Sequence, residues 1–297
     1  MIPNFNKSIR LLMLAVVFLM INNKEAVSAN DPLDIAFTAV VIKEDMYLNN
    51  RLIRYLADKL GREVRLIYKR SYKDIDDLLE RGAVGAAWIC GAPYVVDHDR
   101  FGIELLVVPQ VTGYKEGSYR SLIIVPVESH VQSFDDLKGK TFAFSDPLSN
   151  SGRVVPTYML ARMGEAPDSF FKEYIYTYAH YESIQAVAEG FVDGASVDSY
   201  VYDAAARFNP ELVEKTRVIE KSGWHGFTPI VIRKGVSKGF KEQLRKVFMN
   251  MEDDPEGKAI LEAYGFDRFI NPSDTLYDSI REMMRFISRF KVARETK

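Results

Sequence analysis

Three small hydrogen-bonding residues, Ser149, Asn150 and Ser151, stand immediately before Gly152 in the run Phe142 to Met163, Phe-Ala-Phe-Ser-Asp-Pro-Leu-Ser-Asn-Ser-Gly-Arg-Val-Val-Pro-Thr-Tyr-Met-Leu-Ala-Arg-Met. The pattern reads as a short buried strand, a tight turn and a helix start. The first-turn N–H groups of a helix have no partner within it, and its dipole favours negative charge, so such a start attracts anions. Side chains of Ser and Asn can add donors there. A single Ser or Asn can equally serve only as the helix cap.

Other polar groups follow strand-like runs. His180 follows Tyr174 to Tyr178, Asp198 follows Gly194 to Val197, and Tyr94 follows Gly91-Ala92-Pro93. His180 is either a half-buried polar group at the next helix or an imidazole whose charged form an oxyanion would favour. Asp198 is either a helix N-cap or a partner for a ligand's amine or protonated oxygen. Tyr94 is either a loop aromatic or an amphipathic ring at the edge of a cleft. Arg153 has the right head group for an anion, but it follows the cap and is expected to be solvated. Cys90 ends the apolar Gly-Ala-Ala-Trp-Ile run; as a nucleophile it would need His180 as base, and buried packing is the expectation. No P-loop, Gly-x-Ser-x-Gly elbow or His-Glu-x-x-His motif occurs. The four histidines, His98, His130, His180 and His225, lack metal-site spacing. No catalysis, metal or cofactor is expected.

The elements that would position these groups alternate. Asp34 to Ile42, Val64 to Tyr68 and Gly85 to Cys90 read as strands, separated by helices over Leu48 to Leu60 and around Ile75 to Leu79, which Gly61 and Gly82 close. Leu105 to Val111 and Ser121 to Val127 are two more strands, and Gly113 to Ser118 is a hinge neighbourhood, as is Gly223 to Gly226. A short helix and turn at Asp135 to Lys140 restarts the pattern: strand Thr141 to Ser145, the helix after Gly152, strand Tyr174 to Tyr178, helix Glu182 to Glu189, strand Gly194 to Val197 and a helix through Phe208. Thr228 to Arg233 is read as a last strand. The remainder is read as helical, over Phe240 to Met251, Glu256 to Tyr264 and Asp274 to Phe290. This is an α/β rhythm, and ligands of parallel α/β sheets collect at the carboxyl ends of the strands. In a parallel second sheet Ser149 to Ser151, His180 and Asp198 converge on one edge.

A chain of 297 residues is long for one core and suits two lobes. Lys7 and Arg10, the apolar run Leu11 to Ile21 and the small-residue site Val27-Ser28-Ala29 read as a secretory signal peptide over residues 1–29, too short in its apolar part to span a bilayer. Its removal leaves a mildly acidic chain with no basic excess for nucleic acid. Cys90 is the single cysteine, so no intrachain disulfide forms and no lipid-bearing cysteine stands at the cleavage point.

Motifs along almost the whole mature chain resemble those of the phosphonate, phosphate and phosphite type of ABC transporter substrate-binding proteins. They are Leu56-Ala57-Asp58-Lys59-Leu60-Gly61, Gly91-Ala92-Pro93-Tyr94, Asp136-Leu137-Lys138-Gly139-Lys140, Asp146 to Gly152 with Pro156 four residues on, His180 to Val187, and Gly190 to Ser199. The resemblance implies a type II periplasmic binding fold, with lobe 1 formed by 30–120 and 227–297, lobe 2 by 121–226, and two crossover segments between them. It implies a periplasmic monomer that captures a small oxyanion for an inner-membrane ABC permease. The alternative is a receptor that signals ligand occupancy through a membrane-bound partner. Ser149, Asn150, Ser151 and Gly152 resemble the family's oxyanion cradle, joined by His180, with Tyr94 on the opposite lobe and Asp198 at a position that can meet an amine. The family's usual middle cradle residue is Thr, where this chain has Asn150.

Overall fold

A computed structural model describes residues 32–38 and 46–295. The expected signal peptide, and the part of the first strand beyond Thr38, lie outside the described residues. Strands β1 (Leu33–Thr38), β2 (Val64–Lys69) and β3 (Ala86–Trp88) run parallel, connected by helices α1 (Met46–Leu60) and α2 (Tyr72–Glu80). The helices form because their apolar residues recur on one face: Leu48, Leu52, Ile53, Leu56 and Leu60 of α1 are all buried. Gly61 and Gly82 end them at φ 62° and 72°, left-handed values that a side chain would oppose.

Helix α3 (Gly91–Phe101) follows β3 directly, and β4 (Glu104–Val111) returns along the sheet. After β5 (Ser118–Tyr119) the chain enters a second sheet with β6 (Ser121–Pro126) and β7 (Thr141–Phe144). A π-helical turn (Asn150–Val154) leads into α4 (Val155–Arg162); β8 (Glu173–Tyr176), α5 (His180–Ala188), β9 (Gly194–Asp198), α6 (Ser199–Phe208) and β10 (Thr216–Lys221) complete that half. The chain then returns through β11 (His225–Gly226) to β12 (Ile230–Ile232), α7 (Lys238–Met249), α8 (Pro255–Tyr264), β13 (Phe266–Ile270) and α9 (Asp278–Glu295).

The first sheet has the order β13-β4-β12-β3-β1-β2 and the second β10-β6-β9-β7-β8. Between them β5 and β11 form a two-stranded antiparallel ribbon, Tyr119 opposite His225 and Ser118 opposite Gly226. Both chain crossings therefore lie side by side.

Two expectations are corrected here. The carboxyl-terminal segment is not helical throughout: β13 pairs antiparallel with β4, Phe266 facing Val111, a contact too distant in sequence for local periodicity to reveal. Nor is the second sheet wholly parallel. β7, β8 and β9 are parallel, but β6 runs against β9 and β10 against β6. The three parallel strands are the ones that carry the residues of interest, so their carboxyl ends still share one edge. Helix α9 buries Ile280 and Met283 and reaches across to the second half, where Phe286 meets Tyr158 edge-on at 5.3 Å.

Asp76 of α2 and Asp97 of α3 are buried against each other, at 7% and 1% exposure, with Arg100 nearby. Burial first, and mutual repulsion second, raise Asp76 well above the usual carboxylate range. A buried acid with a raised pKa stabilises the fold fully at low pH and loses that contribution as pH rises. Asp76→Asn is thus expected to gain on the wild type in unfolding free energy as pH climbs from 5 to 9. Denaturant titrations across that range check it, and a flat difference would refute the raised pKa of Asp76.

Candidate functional site

β7 ends at Phe144, and its polypeptide turns through Ser145 to the π-helical turn. Ser149, Asn150 and Ser151 are each completely buried. Ser149 Oγ accepts the Gly152 N–H at 3.0 Å, a helix-capping bond, and the Ser149 carbonyl accepts the Val154 N–H at 2.9 Å. That five-residue spacing is the π geometry, which recurs at functional sites in proteins. The Ser151 carbonyl accepts from Ser121 Oγ at 2.8 Å and Ser196 Oγ at 2.6 Å, which pins the turn onto β6 and β9. Gly152 lies so close to Ser145 that a β-carbon would fall 1.8 Å from its hydroxyl oxygen. Only glycine fits.

Several buried polar atoms of this turn have no partner. Asn150 Oδ1, Ser151 Oγ and Ser145 Oγ are sealed from solvent and unbonded, although Ser151 Oγ lies near the Tyr119 hydroxyl. Buried polar atoms without partners are costly, and a group of them marks a place where a polar ligand completes the bonding. Thr38 Oγ1, at the carboxyl end of β1, is unbonded in the same way.

His180 opens α5 rather than preceding it, with Ala179 at the N-cap. Its Nδ1 accepts the Asp198 N–H at 3.1 Å, and burial pushes the imidazole down to about 3. The ring is fully rather than half buried, and without a ligand it is neutral, with its remaining proton on Nε2. Asp198 caps α6, its Oδ1 accepting the Tyr200 N–H at 2.7 Å. Complete burial pushes its carboxyl up to about 7, so near neutrality it holds a proton part of the time. A carboxyl in that state can donate to a ligand oxygen as well as accept from an amine.

Arg153 turns away from the turn and lies over the Phe144 ring, 4.4 Å from its centroid, bonded through its guanidinium to Thr157. It does not enter the turn, as expected, but is half-buried against aromatics rather than fully solvated.

Tyr94 is displaced from its expected place. Its hydroxyl donates to Asp274 at 2.6 Å and its ring packs on Tyr277 at 4.7 Å and on His98 at 5.5 Å. As the fourth residue of α3 it is turned into the packing of that helix against the chain around Asp274. Tyr119 stands opposite the turn in its stead: Asn150 Nδ2 donates to the Tyr119 hydroxyl at 3.0 Å. Tyr72, at the start of α2, feels Cys90, Asp146, Tyr119 and Asp198 around its buried ring, and its N–H points at Asp146 Oδ2 at 3.3 Å. Sequence reasoning passed over both tyrosines. The available signals were an aromatic directly after the polar hinge stretch for Tyr119 and an aromatic just after the helix cap Ser71 for Tyr72.

The site thus consists of a glycine-bearing turn from one half, with a neutral imidazole and a partly protonated carboxyl beside it, and two tyrosines and Cys90, whose Sγ accepts the Asn150 N–H, facing it. Residues 35–277 match the family described as ABC transporter, phosphonate, periplasmic substrate-binding protein. The chain belongs to this family. This substrate-binding protein is 30% identical over 232 residues to the phosphonates-binding periplasmic protein of Escherichia coli, covering 77% of its own length and 68% of the relative's. Its fold is shared by a binding protein component of an ABC phosphonate transporter from Pseudomonas aeruginosa, with a TM-score of 0.83, 24% identity and coverage of 89% of each chain. A Prochlorococcus marinus structure in complex with methylphosphonate follows, with a TM-score of 0.78, 19% identity, and coverage of 86% of this chain and 98% of that one. The architecture is that of type II periplasmic binding proteins. Among the described residues of this substrate-binding protein, no helix is long and apolar enough to cross a membrane.

Proposed function

We propose that this protein captures a small phosphorus oxyanion of the phosphonate class in the periplasm, after loss of its signal peptide, and delivers it as a monomer to an inner-membrane ABC permease. The observation that carries the reading is the π-helical turn, whose buried Asn150 and Ser151 hold polar atoms without partners beside the first N–H groups of a helix. Ser149, Asn150, Ser151 and Gly152 form the cradle for the anion. His180 donates its Nε2–H, and Asp198 meets either a protonated oxygen or an amine on the ligand's tail. Tyr72 and Tyr119 close on it from lobe 1; Tyr94 supports that lobe without touching the ligand. The lobes divide at 120/121 and 226/227, beside the β5–β11 ribbon. Closure excludes water, which strengthens each charge-assisted bond, and no step of this function requires turnover.

A thermal-shift panel of phosphate, phosphite, methylphosphonate, aminoethylphosphonate, sulfate and short carboxylates tests the reading. At a hundredfold excess over Kd a bound ligand adds about 2.7 kcal/mol to stability, a rise in Tm of roughly 5–10 °C. A shift with methylphosphonate or phosphite above that with any carboxylate is expected. A shift confined to carboxylates or sulfate refutes the phosphorus assignment.

A further inference from the structure

Cys90 sits where β3 gives way to α3, at the N-cap position of that helix, and is 1% exposed. Sequence reasoning assigned it to packing. It is packed in the apolar core as expected, and its Sγ also accepts the Asn150 N–H at 3.2 Å, from one half to the other. Around the sulfur stand Tyr72, Tyr119, Tyr277 and Asp198. Burial pushes the thiol up to about 11, against the pull of the Asn150 and Ala92 N–H groups, so it is neutral at any ordinary pH. A neutral sulfur is a weak acceptor and its S–H a weak donor. The Asn150 N–H is therefore held by a partner that an anionic oxygen outcompetes.

We propose that Cys90 lines the ligand pocket and sets its selectivity, presenting sulfur to the one substituent of a tetrahedral phosphorus ligand that is not oxygen. The inference rests on the phosphorus reading above. The turn, the His180 Nε2–H and the two tyrosine hydroxyls can serve the oxygens of the anion. A further oxygen pressed against Cys90 exchanges strong hydration for a poor partner, whereas P–H or P–CH3 gives up no hydrogen bond there. Such a wall disfavours an added hydroxyl by about 100-fold. Methylphosphonate and phosphite are thereby preferred to phosphate and sulfate.

Isothermal titration of the wild type, Cys90→Ser and Cys90→Ala with methylphosphonate, phosphite, phosphate and sulfate tests this. The wild type is expected to prefer methylphosphonate to phosphate by about 100-fold, and Cys90→Ser, with a stronger donor in nearly the same shape, to lower that ratio by at least about tenfold. Cys90→Ala, which offers no donor, is expected to keep the preference. A ratio unmoved in Cys90→Ser overturns the role of Cys90 and leaves the phosphorus reading standing. A wild type that binds none of these anions overturns that reading and this inference with it. If Cys90→Ser fails to fold, alkylation of the wild-type thiol by iodoacetamide decides: saturating methylphosphonate is expected to slow it by about tenfold or more, as for any group a bound ligand covers. An unchanged rate overturns the proposal.

Discussion

Gly152→Ala is expected to cost the protein both its ligand and a large part of its stability. The new methyl would start 1.8 Å from Ser145 Oγ and 2.7 Å from Ser145 Cβ. Non-bonded carbon contacts settle near 3.5–4.0 Å, so one backbone must move. The turn cannot retreat freely, because the Ser151 carbonyl is held by Ser121 and Ser196 and the Gly152 N–H by Ser149. Ser145 in turn continues the buried strand β7. Overpacking of a rigid interior costs about 1–3 kcal/mol and more where the neighbour is backbone-anchored. In a protein of this size each kcal/mol lowers Tm by roughly 2–4 °C. Thermal unfolding and calorimetric titration with methylphosphonate should show a fall of about 6 °C or more and a loss of affinity beyond about a hundredfold. Removing the obstacle should rescue the fold: in Gly152→Ala with Ser145→Gly most of the lost Tm is expected to return, a strong coupling between neighbours. A Gly152→Ala protein with wild-type Tm and affinity would show that the turn has slack.

Asn150→Asp is expected to have the second largest effect, and one that pH reverses. The side chain is fully buried beside the candidate cradle, with Nδ2 on the Tyr119 hydroxyl and Oδ1 unpartnered. A carboxylate there would face a bound anion at contact distance. Two like charges about 4 Å apart at an effective dielectric constant near 20 repel by about 4 kcal/mol, roughly a thousandfold in affinity. Burial raises the pKa of an introduced acid, so protonation restores a neutral group as pH falls. Methylphosphonate affinity of Asn150→Asp should thus be about a thousandfold weaker than wild type at pH 8 and recover most of that loss by pH 5. Asn150→Ala, which adds no charge, should show a smaller loss without that pH dependence. Equal losses for the two variants at every pH would place the anion away from Asn150.

The alternation of strands and helices was legible because each element carries its own period and stop signal. Leu52, Leu56 and Leu60 mark a helix and Gly61 closes it, with no help from distant residues. The strand, turn and helix around Ser149 were legible for the same reason. What escaped depended on partners far away in the chain. Phe266-Asp-Arg-Phe-Ile becomes a strand because Val108 to Val111 offers it an edge. The π turn exists because Ser121 and Ser196 hold one carbonyl. Choosing among sixteen tyrosines was harder still. Tyr94 follows an attractive Gly-Ala-Pro and is claimed by Asp274, while Tyr119, in an unremarkable polar stretch, reaches Asn150. The depth of His180 was underestimated because sequence shows neither the Asp198 N–H at Nδ1 nor what packs over the ring.

The β5–β11 ribbon joins the halves through two residues on each strand, and one of them is Tyr119. The residue that meets the proposed cradle is thus also part of the link between the halves, the axle of the closure proposed above. In a hinge a small change in a few backbone dihedrals is geared up into a large excursion at the far rims. With its hydroxyl fastened to the opposite half, Tyr119 works at the short end of that lever, where force is greatest and travel least. On the proposed reading, a bond formed at the centre of the molecule would become a displacement legible at its periphery, where a permease in the membrane would meet it.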